Sequence, residues 1–330
     1  MISEFIPARF RGRAIAVTFI FSPLGGFAAA GLALLVVPIW GWRGLFISGI
    51  APAVLILLAR WLIPETPRFL LSRGRDAEAE RAAAWISNVP SVPKFDRSEA
   101  VIRREVPSML SQVKALFSPT YRGRTAFVWG LWLTFIFSYY GLLFWLPTLL
   151  TQYKGVPRAN VFMFMMGFTL VGVFGRLACT LIIDRFGRKL VTAVGAFGAA
   201  ILLPIFGMQE GLTALMIAGY TFAFFQDLAL CGFIPFAPEV YPTSMRATGV
   251  GWAAGAGRIS GTVAPIAVGA LAAQGVLTVF GMLAFSYVLA GVIVVFFGPE
   301  TKGRHLDELE VEEAERLAKK PEGAPVPALV

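Results

Sequence analysis

Eight stretches of this chain run for about twenty residues with almost no charge: 14–37, 44–63, 125–150, 161–183, 190–208, 212–236, 247–272 and 276–297. An α-helix needs about 20 apolar residues to cross the hydrocarbon core of a bilayer. Backbone N–H and C=O groups find no water there, so a spanning segment is either a helix or a strand of a closed barrel. Barrel strands alternate apolar and polar residues over about ten positions. These runs are longer and apolar on every side, which predicts an all-α integral membrane protein with eight transmembrane helices. Composition agrees. Of 330 residues, 57% are hydrophobic and 15% charged, and mean hydropathy is +0.70, where soluble domains carry about 25% charged residues. Met1–Arg13 is polar and basic, without the apolar region of a secretory leader.

A net charge of +9 raises the question of nucleic acid. The basic residues lie between the apolar runs rather than on one folded face, which argues against such a partner. Their distribution instead sets orientation. With the N-terminus inside, the cytoplasmic segments and Arg60 at the inner end of the second span hold 24 of the 29 Lys and Arg. Arg43, Lys154 and Arg158 fall on the opposite face, and Arg176 and Arg258 fall within spans. The positive-inside rule then places both termini in the cytoplasm, in a plasma (inner) membrane. Cys179 and Cys231 sit in apolar runs as small buried hydrophobes, and the single histidine, His305, sits in a polar tail. No metal or other cofactor is expected, and neither a nucleophile elbow nor a phosphate loop marks an enzyme.

The domain reading is two spans in 1–63, a cytoplasmic linker at 64–124, a six-span bundle at 125–298 and a cytoplasmic tail at 299–330. Asp76–Val89 has helical composition and is followed by Pro90 and Pro93, so the linker is expected to carry a short surface helix. A second charged helix is expected over Leu306–Lys320. An internal repeat supports two homologous halves. Glu4-x-x-Pro7-x-x-x-Arg11 recurs as Glu239-x-x-Pro242-x-x-x-Arg246, an offset of 235 residues. At the same offset Pro64-Glu65-Thr66 matches Pro299-Glu300-Thr301, and Ala79-Glu80-Arg81 matches Ala314-Glu315-Arg316. Transporters are often built from such halves. On this frame the first two spans correspond to the fifth and sixth of the second half, so eight helices of an ancestral twelve are expected here.

Asp184-Arg185-Phe186-Gly187-Arg188-Lys189 joins two spans in a tight charged cytoplasmic turn. It resembles the loop signature of the major facilitator superfamily, with Thr180 where the leading Gly is usual. Pro64-Glu-Thr-Pro-Arg68, Pro238-Glu-Val-Tyr-Pro-Thr243 with Arg246, and Pro299-Glu-Thr-Lys-Gly303 extend the resemblance over nearly the whole chain. The superfamily's sugar porters carry a Gln-Gln and an Asn in the span that here reads Thr134-Phe-Ile-Phe-Ser-Tyr-Tyr-Gly141, which lacks all three. Tyr140-Gly-Leu-Leu-Phe-Trp-Leu-Pro147 and Gly249-Val-Gly-Trp-Ala-Ala-Gly-Ala-Gly-Arg258 look more like the niacin and aromatic-acid proton symporters, relatives of the organic-ion transporters. That resemblance implies a monomeric secondary transporter whose partners are the bilayer, a small organic anion and protons. It also implies gating roles for Asp184, Arg185, Gly187, Arg188, Glu239, Arg246, Glu4 and Arg11. Rival readings are a sugar or other metabolite porter, a uniporter or exporter, and a non-transporting fragment.

An ionisable group inside a span is a functional candidate by default. Asp227 lies 12 residues before Glu239, and Arg258 lies 12 residues past Arg246; each is thus about 18 Å from the cytoplasmic end, near the midplane. Arg258 is the expected carboxylate receptor, because its planar fork binds a carboxylate bidentately. Asp227 is expected to titrate or to form an ion pair, with Arg258 on an adjacent helix as one partner. Arg176 is expected to assist, to line the inner exit, or to pair with a cytoplasmic carboxylate. Tyr139 and Tyr140, closest to mid-span, are candidates to stack on a planar substrate, with bundle packing as the alternative. Gly251/Gly255 and Gly257/Gly261 are expected to let helices approach closely.

Overall fold

In the computed structural model of the chain, residues 8–62, 65, 70, 75–87, 109–241 and 245–299 are described, and among them every regular element is helical. The chain divides into two compact units, residues 1–25 with 31–105 and residues 26–30 with 106–330.

The first unit carries α1 (Ala8–Ser48), α2 (Ile50–Leu62) and α3 (Asp76–Ser87). A straight helix of 41 residues would be about 60 Å long, twice the hydrocarbon thickness. α1 breaks instead at Gly41, whose φ of 64° and ψ of −169° are not helical. Only a residue without Cβ enters that region freely. The loop expected between the first two spans is therefore one glycine wide, and Pro23–Leu58 forms a continuous apolar stretch. Leu35, Ile39, Trp40, Phe46, Leu55 and Ile56 are all exposed within this unit. In lipid such exposure has little cost, because acyl tails are as apolar as Leu. α3 forms where its composition predicts, over the described part of Asp76–Val89.

The second unit holds α4 (Met109–Leu116), α5 (Arg122–Thr148) with a π turn at Leu149–Tyr153, α6 (Arg158–Phe186), α7 (Arg188–Met208), α8 (Leu212–Phe233), α9 (Phe236–Val240), α10 (Arg246–Ala272) and α11 (Val276–Phe297). Helix α5 packs on α10 and α11, α7 on α8 and α11, and α8 on α6. Because α6–α7 and α7–α8 are joined by tight turns, α6 and α8 run parallel. Six stretches among the described residues are long and apolar enough to cross a membrane, where the sequence suggests eight spans. One is lost to the fusion at Gly41. The other is α10, which is long enough but diluted by Gly251, Gly255, Gly257, Gly261, Ser260 and Arg258.

Small residues and polar side chains hold the bundle together, as expected where water does not drive association. A Cβ on Gly175 would sit 2.4 Å from the Phe224 carbonyl oxygen, so α6 and α8 meet backbone to backbone. The Ser138 hydroxyl donates to Leu283 O (2.7 Å), Ser286 to Thr134 O (2.8 Å) and Ser260 to Leu133 O (2.6 Å). These bonds tie α5 to α11 and α10. Phe135, Phe222, Phe233 and Tyr287 fill the space between, with Phe135 5.2 Å from Tyr287 edge-on. At one end of the bundle Tyr241 bonds Thr125 (3.2 Å), whose hydroxyl donates to Leu116 O (2.8 Å). At the other end Lys154 donates to Gln209 O (2.9 Å), clamping two connections together.

Candidate functional site

Two arginines occupy the bundle at membrane depth, and they have different partners. Arg176 on α6 donates from Nε to Asp227 Oδ1 on α8 at 2.7 Å, with both side chains only 7% exposed. The close α6–α8 approach makes room for this: a Cβ on Gly172 would lie 2.5 Å from Asp227 Oδ2. Tyr139 on α5 places its hydroxyl beside the same pair, in hydrogen-bonding reach of Arg176. Tyr287 and Gln226, bonded at 3.0 Å, line the adjoining layer. Neither was singled out from the sequence; an amide one position before the intramembrane Asp227 was the available signal.

Arg258 on α10 is exposed on the bundle. Its Nη1 donates to the Tyr140 hydroxyl oxygen at 3.0 Å, and the guanidinium carbon is 6.0 Å from the Tyr140 ring centroid. Tyr140 stacks on Phe144 at 5.5 Å and meets Tyr139 edge-on, also at 5.5 Å. Consecutive on one helix, Tyr139 and Tyr140 thus serve different charged groups.

Two alternatives entertained from the sequence are corrected. Asp227 pairs with Arg176, not with Arg258, because α8 packs on α6. Arg176 meets an intramembrane carboxylate rather than a cytoplasmic one. Depth along a helix is legible in a sequence; which helix lies alongside is not. The small-residue expectation divides as well. Gly257 faces Trp132 and Gly261 faces Tyr140, whereas among the described residues nothing lies within 4 Å of a Cβ at Gly251 or Gly255.

At the end expected to be cytoplasmic, Gly187 terminates α6 and opens α7 with φ 85°, a conformation that requires glycine. Arg188 then donates to Glu239 at 3.2 Å. Arg185 lies over the Phe186 ring at 5.6 Å, and Arg246 donates to Tyr241 O at 3.4 Å. Glu4 and the side chains of Arg11 and Asp184 lie outside the described residues, as does the expected helix over Leu306–Lys320.

Stacked apolar helices, a charged turn at Gly187–Arg188 and a few charges at membrane depth are the features of a major facilitator transporter. The chain belongs to the family described as sugar (and other) transporter, which matches residues 1–312. It is 32% identical over 312 residues to the niacin transporter NiaP of Acinetobacter baylyi, covering 94% of this chain and 70% of that protein. A gallate transporter of Pseudomonas putida is 29% identical over 305 residues, covering 88% and 65%. Among solved structures, the partially occluded inward-open xylose transporter XylE of E. coli matches with a TM-score of 0.64 at 21% identity, covering 92% of this chain and 67% of that one. That likeness shows the fold alone. The protein is an integral membrane transporter of small organic substrates, not an enzyme.

Proposed function

We propose that the chain carries out proton-coupled symport of a small organic anion across the plasma membrane, with both termini in the cytoplasm and the protein acting as a monomer. The observation that carries the reading is Arg258: a guanidinium well inside a 27-residue helix, exposed on the bundle and hydrogen-bonded to a neutral tyrosine. A charge at that depth does not face lipid. It lines a polar path, and its planar fork matches a carboxylate. Niacin and gallate, named for two relatives, are both carboxylates on a flat ring.

The Arg176–Asp227 pair supplies the coupling. Ionised, it is neutral overall. When Asp227 takes a proton, Arg176 keeps a charge without its counterion, and an anion entering nearby is favoured. Proton and anion then promote each other's binding, a reciprocal coupling of about 1–3 kcal/mol.

The test is uptake of labelled nicotinate, benzoate and glucose by the protein, expressed from its complete reading frame in proteoliposomes, with and without a proton gradient. Gradient-driven uptake of the two acids is expected, falling at least ~100-fold in Arg258→Ala, the loss of one bidentate carboxylate pair. Asp227→Asn is expected to exchange substrate across the membrane without responding to the gradient. Glucose uptake indifferent to Arg258→Ala would point to the sugar-porter alternative, and uptake of none of the three to a non-transporting fragment.

A further inference from the structure

Arg258 is a long, flexible side chain, yet only one of its edges is open to a ligand. Its Nη1 is engaged by the Tyr140 hydroxyl at 3.0 Å, while Nε and Nη2 have no partner among the described residues. The tyrosine itself is held on three sides. Its ring lies against Gly261, one turn along α10 from Arg258, where a Cβ would come within 2.6 Å of Cδ2. Phe144 stacks on it with the rings inclined by 13°, and Tyr139 closes its edge. A side chain with several rotamer-rich bonds loses entropy on binding unless it is held in advance.

We infer that Tyr140, seated in the recess at Gly261, is a positioning residue that turns the Nε–Nη2 edge of Arg258 outward to receive the substrate carboxylate. The hydroxyl accepts from Arg258 through its oxygen, which leaves its own proton to donate to a second acceptor, the same carboxylate. Gly261 acts through Tyr140. Any larger residue there displaces the ring and, with it, the fork. This inference rests on the reading of Arg258 as the carboxylate receptor and adds which residues orient it.

The experiment is a double-mutant cycle on labelled nicotinate and benzoate uptake in proteoliposomes. Tyr140→Phe keeps the ring packing and removes only the hydroxyl. It is expected to raise KM about tenfold with little change in maximal rate, the worth of one hydrogen bond to a charged group. In an Arg258→Lys background, which has no fork to orient, Tyr140→Phe should have no further effect. Gly261→Ala should give the same KM-selective defect, also lost in the Arg258→Lys background, beside a loss of thermal stability from overpacking. Equal effects of Tyr140→Phe in the wild-type and Arg258→Lys backgrounds would reduce the tyrosine to packing, and a silent Tyr140→Phe would overturn the inference outright. Should Arg258→Ala itself leave acid uptake intact, the receptor reading fails first, so the two failures are distinguishable.

Discussion

Arg176 and Arg258 are the same residue at membrane depth, but one is spent and the other is available. Arg176 is buried against Asp227 at 2.7 Å, and the pair carries no net charge. Arg258 is exposed and, among the described residues, has only a tyrosine hydroxyl for company. A buried guanidinium with its carboxylate is neutral as a pair, and the proposed coupling role is that protonation of the carboxylate upsets this balance. An exposed guanidinium with a neutral partner keeps its full charge for a ligand. Under the proposed function, coupling belongs to one and recognition to the other, and that proposal can be broken from either side.

The largest effect is expected at the buried pair. Arg176→Ala leaves the Asp227 carboxylate unpaired among apolar side chains, which costs about 3–5 kcal/mol of stability. Thermal unfolding in detergent should show a large drop. Replacing both residues by Leu should recover most of it, since a buried pair is often no more stabilising than well-packed apolar residues. The double variant should still lose the response of uptake to a proton gradient. If it remains gradient-driven, the pair is structural and coupling lies elsewhere.

Next in size is Arg258→Ala, with the opposite signature. Stability should change by less than about 0.5 kcal/mol, because the side chain is exposed and makes one hydrogen bond. Uptake efficiency for carboxylates should fall by ~100-fold or more, or about 2.7 kcal/mol. Unfolding and uptake measured on the same preparation separate the two arginines. An Arg258→Ala protein that unfolds like Arg176→Ala would end the distinction.

How much of this was legible beforehand follows from what a sequence encodes. The all-helical membrane fold came through because each apolar run must match the bilayer on its own, although six stretches among the described residues, not eight, are long and apolar enough to cross. The Gly41 junction did not, since six residues between two runs look like a loop, whereas the structure needs only one positive-φ glycine there. Asp227, Arg176 and Arg258 were recognisable as charges at depth, because lipid penalises them individually. Their partners were not, because partnership depends on α8 packing against α6. One signal was present. Arg176 and Asp227 are separated by 51 residues, about one return passage across the bilayer, which is the register of two parallel helices lying side by side. The roles of Tyr139 and Tyr140 divided for a similar reason: neighbours on a helix point about 100° apart, toward different partners.

A subtler perturbation reaches the buried pair without touching either charge. Gly172→Ala puts a methyl group 2.5 Å from the present Asp227 Oδ2 position. The carboxylate must move, at a cost of about 1–3 kcal/mol for overpacking. In an Asp227→Ala background the clash disappears, so the two changes should be strongly non-additive. Gly251→Ala, with nothing within 4 Å, should be neutral or stabilising by up to ~1 kcal/mol through the unfolded chain. Additivity of Gly172→Ala with Asp227→Ala would mean that the glycine serves helix packing rather than the pair.

The smallest effect belongs to the ion pair at the Gly187 end of the bundle. Arg188 and Glu239 lie 3.2 Å apart with side chains 21% and 22% exposed. The pair is partly exposed where Arg176–Asp227 is buried, so Glu239→Gln should cost less, about 1 kcal/mol. Exposed charges are screened within about 10 Å at 0.1 M salt and 3 Å at 1 M. The stability difference between wild type and Glu239→Gln should therefore shrink as salt is raised, while the Arg176→Ala difference stays constant. Both pairs tie adjoining elements at the same sequence separation, so chain geometry alone would rank them equally. Depth in the membrane, and the dielectric that comes with it, is what ranks them differently. A salt-independent loss for Glu239→Gln as large as that of Arg176→Ala would show that burial does not govern these pairs, and the proposed coupling role of Arg176–Asp227 would lose its physical basis.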